Sequence, residues 1–213
     1  MYGMWLFESQ TIKEYKRYRK AGQSLNHKII DAYLNETILE KAATMLRLRR
    51  KRQLILDSED DLSVLMDFVL YEIRNREGKN SVERYAEEKG GVNAIERELL
   101  AAMIKARTGL FKINQVLREK RQVILEDLTN PDLAVILTDI NFSQTFREKL
   151  IVSFRPVCVA KFTMTSGVAF VFPITLEPEL VRRWKGFEII GDAERYAWFF
   201  GKSKKSGLET RYV

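Results

Sequence analysis

Residues 93–125 of the chain read NAIERELLAAMIKARTGLFKINQVLREKRQVIL, and their hydrophobic spacing changes once along this segment. Up to Ala106 the apolar side chains recur at intervals of three and four residues, as on one face of a helix. From Leu110 onward apolar and polar side chains alternate, as on a strand that buries one face. We expect Gly109 to end the helix, because glycine readily adopts the left-handed conformation that ends many helices. The spacing therefore predicts a helical part before residue 109 and a β-rich part after it.

The residues before Gly109 predict a helical bundle. Ser24, Ser58 and Asn93 are expected N-caps, because their side chains can accept from the free backbone N–H groups of a first turn. Ser58 is followed by three carboxylates, which favour the positive end of a helix dipole. Apolar residues at helical spacing continue from each of these caps. The expected helices cover residues 5–20, 25–46, 59–73, 81–89 and 94–108.

The residues after Gly109 predict a small β structure. Five or six short β-rich runs follow within about 65 residues, which is typical of an antiparallel meander or a small barrel. The expected turns lie at residues 118–121, 130–132 and 163–167. Glu177 and Pro178 indicate the start of a further helix, because proline is favoured in a first turn. The aromatic residues 196–200 fit either a strand or a final helix.

The predicted fold class is therefore α+β: an N-terminal α-helical bundle, a small antiparallel β-meander or barrel, and a helical or mixed C-terminal end. The regions are 1–108, 109–175 and 176–213. We expect them to form one integrated unit, because no linker rich in Gly, Pro or Ser separates them. The aromatic residues near Trp198 could fill an internal core or cover a contact between subunits.

The composition excludes several classes of site. The chain has 213 residues, a net charge of +7, one His and one Cys. A single Cys158 allows neither an internal disulfide nor a zinc site with several thiolates, and we expect it to be buried and inert. His27 alone cannot build a zinc site with two His ligands, and no nucleophile elbow or phosphate loop is present. We expect no cofactor and no catalytic or metal residues.

The sequence also indicates where the protein works. Residues 1–7 lack the basic and long apolar regions of a signal peptide. No apolar run approaches the roughly 20 residues of a membrane span. We therefore expect a cytoplasmic protein with no membrane partner.

Two basic stretches are candidate contacts to nucleic acid. Residues 47–52 contain five cationic side chains in six positions, and in residues 13–20 cations are interleaved with tyrosines. Cations pair with phosphates and release counterions, while aromatic rings stack on unpaired bases. The candidate residues are Arg47, Arg49, Arg50, Lys51, Arg52, Lys13, Lys16 and Arg17.

Each basic stretch also has a structural interpretation. Residues 47–52 fit a solvated helix end, because cations favour the negative pole of the dipole and the carboxylates 59–61 follow closely. On a helix, Tyr15 and Tyr18 would pack inward while the cations beside them stay in water. Both interpretations remain open at the level of sequence.

Carboxylates give a third alternative, a hydrolase that uses an oxygen-ligated metal ion. Asp57 and residues 59–61 lie close together, and Asp127 and Asp139 follow β-rich runs. Magnesium prefers such oxygen ligands. Helix capping already accounts for Asp60 and Asp61, so these carboxylates do not require a metal.

Four short motifs give the chain a resemblance to known sequences. They are GLFKI at 109–113, LEDL at 125–128, DINFS at 139–143 and TMTSG at 163–167. Together they resemble uncharacterised bacterial proteins in which a helical region precedes a short β-module. The resemblance implies this architecture and no activity.

The residues favour a non-catalytic binding or scaffolding protein that binds an unknown protein partner or itself. Its surfaces would be supplied by the helical layer and the β-module. A nucleic-acid-associated protein and a carboxylate-metal hydrolase are the alternatives. A deep cleft with converging polar groups of shifted pKa would count against a purely scaffolding role.

Overall fold

The computed structural model describes residues 9–51, 53–130 and 133–208. Its helices are α1 (Gln10–Tyr33), α2 (Glu36–Met45), α3 (Glu59–Tyr71), α4 (Ser81–Glu88), α5 (Ala94–Lys105), α6 (Ile140–Thr145), α7 (Glu177–Gly186) and α8 (Asp192–Ser206). Its strands are β1 (Arg49–Arg50), β2 (Gln53–Leu54), β3 (Gly109–Leu117), β4 (Gln122–Asp127), β5 (Ala134–Thr138), β6 (Leu150–Cys158) and β7 (Thr163–Pro173). The α+β class predicted from the change of spacing is confirmed.

The caps place the helices, and they correct one predicted boundary. Ser58 accepts from the N–H of Asp61 and starts α3 as expected. Ser24 is not a cap, because α1 is capped by Ser9, begins at Gln10 and runs through Ser24 without a break. The apolar stripe predicted from 25 to 46 is instead divided at Leu34, which is extended, and the Asn35 side chain caps α2. A capping asparagine competes with continuation of the helix because it offers the backbone a local partner.

Gly109 has a different role from the predicted one. Helix α5 ends at Lys105, with Ala106 extended, and Gly109 is already the first residue of β3. A β-carbon at Gly109 would overlap the ring of Phe111. The glycine therefore permits a close approach of an aromatic ring and does not terminate the helix.

Strands β3 to β7 form a closed barrel in the order β3-β4-β5-β7-β6. All neighbours are antiparallel except β5 and β7, which pair in parallel at Leu137 and Thr163. Five strands in a closed ring cannot alternate direction throughout, so one parallel pair is unavoidable. Closure also removes the exposed strand edges of an open sheet.

The barrel differs from the prediction in its last turn. Residues 163–167 were expected to form a turn, but they lie inside β7. The chain instead reverses between Val159 and Phe162, where the N–H of Val159 donates to the carbonyl of Phe162. The start of β7 is hard to recognise from the sequence, because its polar residues Thr163, Thr165 and Ser166 are also typical of turns. The expected turn at 130–132 lies partly outside the described residues.

One hydrophobic core joins the helices to the outside of the barrel. Phe170 and Phe172 of β7 contact Tyr196 and Phe199 of α8, with ring centroids 5.2 and 5.9 Å apart. The aromatic residues 196–200 therefore belong to a helix that mainly packs internally. No helix of the described ranges is long and apolar enough to cross a membrane.

Candidate functional site

A cavity of about 360 Å³ lies where α1, α3 and α5 meet the edge of the barrel. Its helical walls follow helical spacing, with residues 19, 22, 23, 26, 27 and 30 from α1 and residues 63, 66, 67, 70 and 71 from α3. Val157 of β6 and residues 164–168 of β7 close the side against the barrel. Most of the wall is apolar. The apolar lining residues are Ile30, Leu62, Met66, Leu70, Leu99, Met103, Val157, Met164 and Val168.

Three polar groups on this wall lack partners. They are Oδ1 of Asn26, Oδ2 of Asp67 and Oγ of Ser166, all buried and without a hydrogen bond to any described residue. Buried polar atoms almost always have partners, taken from protein, water or a bound molecule. Three such atoms on one largely apolar cavity are therefore the arrangement expected of a ligand site.

Asp67 is the most unusual of the three. It is 6% exposed and lies in the middle of α3, between Met66 and Phe68. Burial raises the pKa of Asp67, because an apolar environment disfavours the charged carboxylate. Arg155 and the hydroxyls of Ser166 and Tyr196 act in the opposite direction and do not cancel the effect of burial. The proximity of Ser166 falls short of a hydrogen bond, since its Oγ has no partner within the described chain.

Arg155 of β6 is the buried cation behind this wall. Its guanidinium forms an ion pair with Glu72, and the two side chains are 4% and 6% exposed. It also lies 4.1 Å from the ring centroid of Tyr71 and donates to the carbonyl of Ala106 at 3.3 Å. Burial disfavours its charge, yet Glu72 and Asp67 outweigh burial and raise the pKa of Arg155.

The buried charges do not balance. One guanidinium serves two carboxylates, and burial raises the pKa of Glu72 as well as that of Asp67. Glu72 takes the direct contact with Arg155. Asp67 is left with only a more distant attraction to that cation, so its charge is incompletely compensated.

The α1 side of the cavity carries a cation, in contrast to the buried carboxylate of Asp67. Arg19 of α1 lines it and donates through Nη1 to the carbonyl of Thr165 at 2.9 Å. His27, the single histidine, lies exposed on the same helix two turns further on. Gly167 has a φ of 135°, a conformation open to glycine and rarely to other residues, and it lets β7 bend beside Ser166.

A second candidate site is a groove of about 900 Å³ between the β1–β2 hairpin and helices α7 and α8. The expectation that the basic stretch lies at the end of a helix is wrong for residues 47–51, because α2 stops at Met45 and the β1–β2 hairpin follows. Arg47 and Arg50 line the groove. It is walled by six cationic and three acidic side chains: Arg47, Arg50, Arg183, Lys202, Lys204, Lys205, Asp57, Glu179 and Glu194.

The other predicted nucleic-acid residues lie elsewhere. Arg49 pairs with Glu40, Lys51 is exposed at the hairpin turn, and Arg52 lies outside the described residues. Lys13, Lys16 and Arg17 are exposed on α1 and line neither the cavity nor the groove. The structure thus brings Arg47 and Arg50 together with the cations of α7 and α8, and leaves the α1 cations apart.

The tyrosines of α1 point away from those cations. Tyr15 donates to Asp139 at 3.1 Å, and the rings of Tyr15 and Tyr18 contact Phe162 edge to face. They pack against the β6–β7 turn, so they do not offer a face to a nucleic-acid base.

The predicted metal carboxylates have structural contacts. Asp57 and Asp61 both accept from Lys204, at 2.9 and 2.7 Å. Asp139 caps α6, and Asp127 accepts from the backbone N–H of Thr129. Across the described ranges, no group of three or more His, Cys, Asp or Glu side chains is placed to hold a metal ion.

The predicted burial of Cys158 is wrong. Cys158 is the last residue of β6 and is exposed, while its neighbour Val157 takes the inward position. Alternation along the strand decides this, since successive side chains point to opposite faces.

The sequence predicts no cavity here, yet it carries one signal of it. Asp67 is the one charged residue in the run VLMDFVLY at 64–71. Every other member of that run is apolar or aromatic, so a carboxylate there was bound to be buried or to face an opening. Asn26 and Ser166 carried no comparable signal.

Comparison with known proteins gives a family and no activity. Residues 9–213 match the model of a family described as "Family of unknown function (DUF7986)". The chain belongs to this family, which confirms the expectation of an uncharacterised protein. No curated protein and no solved structure matches it.

Proposed function

We propose that this protein binds a small organic amine in the cavity between α1, α3, α5 and the barrel. The observation that carries the proposal is Asp67, a buried carboxylate with one oxygen unpartnered on an apolar wall. The sequence favoured a protein partner, whereas the cavity supports binding of a small molecule. The biochemical function of the family is unknown, and this site offers the most specific chemistry within the described chain.

Size and lining favour an organic ligand over water alone. The volume of about 360 Å³ lies within the usual range of small-molecule pockets. A cavity of that size has room for several waters, but its Met, Leu and Val side chains offer them few hydrogen bonds. Replacing such waters by an apolar ligand body is favourable.

Charge favours an amine. The buried set of Arg155, Glu72 and Asp67 has one cation for two carboxylates, and a protonated amine would supply the missing positive charge. An ammonium has three donors and no acceptor, which suits the free oxygens of Asp67 and Asn26. Pairing with a cation would lower the pKa of Asp67 and keep it ionised.

Arg19 restricts the ligand further. Its guanidinium lines the same cavity, so a second positive charge on the ligand would meet a like charge. We therefore expect monoamines with an apolar body to bind better than diamines of equal length.

Matched probes test the proposal by isothermal titration. We expect 2-phenylethylamine to bind at least tenfold more tightly than 2-phenylethanol, because the two differ mainly in the charged donor. The D67N variant should abolish this difference, while an exposed control, Asp31→Asn on the same helix as Asn26, should preserve it. Equal affinity for amine and alcohol, an unchanged preference in D67N, or no binding by any member of a series of apolar monoamines would contradict the proposal.

The D67N substitution should also stabilise the unliganded protein, by about 0.5–2 kcal/mol at neutral pH. The native pKa of Asp67 is raised above its unfolded value of 3.8, so the native state binds more protons than the unfolded state above that pH. Stability from this group is complete at low pH and is lost as pH rises toward the native pKa. Asparagine cannot ionise and removes this loss.

Chemical denaturation at pH 4 and pH 7 measures this effect. The gain from D67N should be large at pH 7 and small at pH 4, because at pH 4 the unfolded-state carboxyl, with its pKa of 3.8, is only about half ionised and loses little by taking up the proton that the native state binds. A D67N variant that is less stable than the wild type at pH 7 would show that the carboxylate is fully compensated in the free protein.

The setting of the protein is part of the same proposal. The resemblance noted from the sequence supports a bacterial origin. An exposed, unpaired thiol at Cys158 is compatible with a reducing compartment, and we propose the cytoplasm.

A further inference from the structure

The groove between the β1–β2 hairpin and helices α7 and α8 is lined by more cationic than acidic side chains. Lys202 is paired with Glu179 at 2.8 Å, and Lys204 is shared by Asp57 and Asp61. Those pairs use two of the three acidic groove residues. Arg47, Arg50 and Lys205 are exposed, and their side chains form no ion pair or hydrogen bond with the described residues.

These free cations come from two separate elements. Arg50 belongs to the hairpin, Arg47 lies two residues before its first strand, and Lys205 lies in the last turn of α8. The residues are far apart in sequence, yet they line one groove. Cations on two opposing walls suit an extended chain of negative charges better than a single small anion.

The floor of the groove adds an aromatic surface. Trp198 lines it and is half-buried, and Phe187 lies beside it with ring centroids 6.0 Å apart. The guanidinium of Arg183 is 5.8 Å from the Trp198 centroid. Aromatic rings beside cations provide the two contacts that single strands use, because bases stack while phosphates pair.

We propose that this groove binds single-stranded nucleic acid. Arg47, Arg50 and Lys205 contact phosphates, and Trp198 stacks on an unpaired base. The site is distinct from the amine cavity, since the two share no lining residue. The α1 cations Lys13 and Arg17 lie outside the groove and take no part in it.

Fluorescence anisotropy with a labelled oligothymidine of about 12 nucleotides tests this inference, because such a length matches the usual site sizes for single strands. The R47A/R50A variant is expected to bind at least tenfold more weakly than the wild type. The K13A/R17A variant removes the same number of charges from α1 and should bind within about twofold of the wild type. Both pairs are exposed, so neither variant should disturb folding.

The salt dependence gives a second, independent readout. Each phosphate contact to a single strand contributes about 0.7 to the slope of log K against log salt, so R47A/R50A should reduce that slope by about 1.4. In a Trp5→Phe background, binding should quench tryptophan fluorescence, and it should do so much less when Trp198→Phe is added, because the remaining Trp184 is buried.

Three results would overturn the inference. K13A/R17A could weaken binding while R47A/R50A does not, which would place the contact on α1. The protein could bind vesicles containing phosphatidylserine and not the oligonucleotide, which would make the groove a lipid contact. Absence of oligonucleotide binding at low salt would show that the free cations form no site for this polymer.

Discussion

Replacing Arg155 by methionine is expected to destabilise the protein by about 3–5 kcal/mol, the usual effect of breaking a buried ion pair by removing one partner. Glu72 and Asp67 would remain buried without a cation, although burial raises the pKa of both even when Arg155 is present. Methionine fills most of the volume, so the loss would be electrostatic and not a cavity effect. Urea denaturation at pH 7 measures it.

The pH dependence identifies the cause. The R155M deficit should shrink toward pH 4, because both carboxyls take up protons more readily in the folded state than in the unfolded state. The triple variant R155M/E72Q/D67N should recover much of the lost stability, since a neutral buried set costs less than an unpaired one. An R155M variant within about 1 kcal/mol of the wild type at pH 7 would mean that the cluster is not buried as described.

Replacing Phe172 by alanine is expected to destabilise the protein by about 3–5 kcal/mol, the usual effect for a buried phenylalanine. Phe172 of β7 is fully buried, and its ring packs against Phe199 of α8. The core around it also includes residues of α2, α3 and α7. Removing the ring therefore weakens the barrel and the helical layer together.

The same variant tests whether the regions 1–108, 109–175 and 176–213 form one unit. The helical circular dichroism signal and the protection of β6 amides from hydrogen exchange should be lost in one transition, at a lower urea concentration than in the wild type. Ile136→Ala on the exposed side of β5 is the matched control and should cost about 0.5 kcal/mol or less. Helix signal that survives loss of the barrel would show two independent domains.

The architecture could be predicted because it depends on local periodicity. The change from helical to alternating spacing near residue 109 coincides with the end of α5 and the start of β3. The boundaries that were wrong depend on how particular residues pack and pair, which the spacing of apolar residues does not reveal. Gly109 makes room for the ring of Phe111 two residues on. Residues 163–165 are strand because they pair with the neighbouring strand β6.

The sites were harder to predict because their residues are far apart in the sequence. The cavity combines Asn26, Asp67 and Ser166, which are about 40 and 100 residues apart, and only folding brings them together. The basic cluster at 47–52 was visible as a charge run, but its partners on α7 and α8 were not. Lys204 makes the direct contacts with Asp57 and Asp61, and Arg50 attracts Asp57 only from a greater distance.

The methionine methyl groups report directly on binding of an amine in the cavity. Of the six methionines, Met66, Met103 and Met164 line the cavity, and Met45 lines the groove. Protein labelled with ¹³C at the methionine methyls, with signals assigned by Met→Leu variants, can be titrated with 2-phenylethylamine and followed by NMR. We expect the three cavity signals to shift together, the Met45 signal to stay in place, and the shifts in D67N to require at least tenfold more ligand. Shifts confined to Met45, or cavity signals that do not move in the wild type, would contradict it.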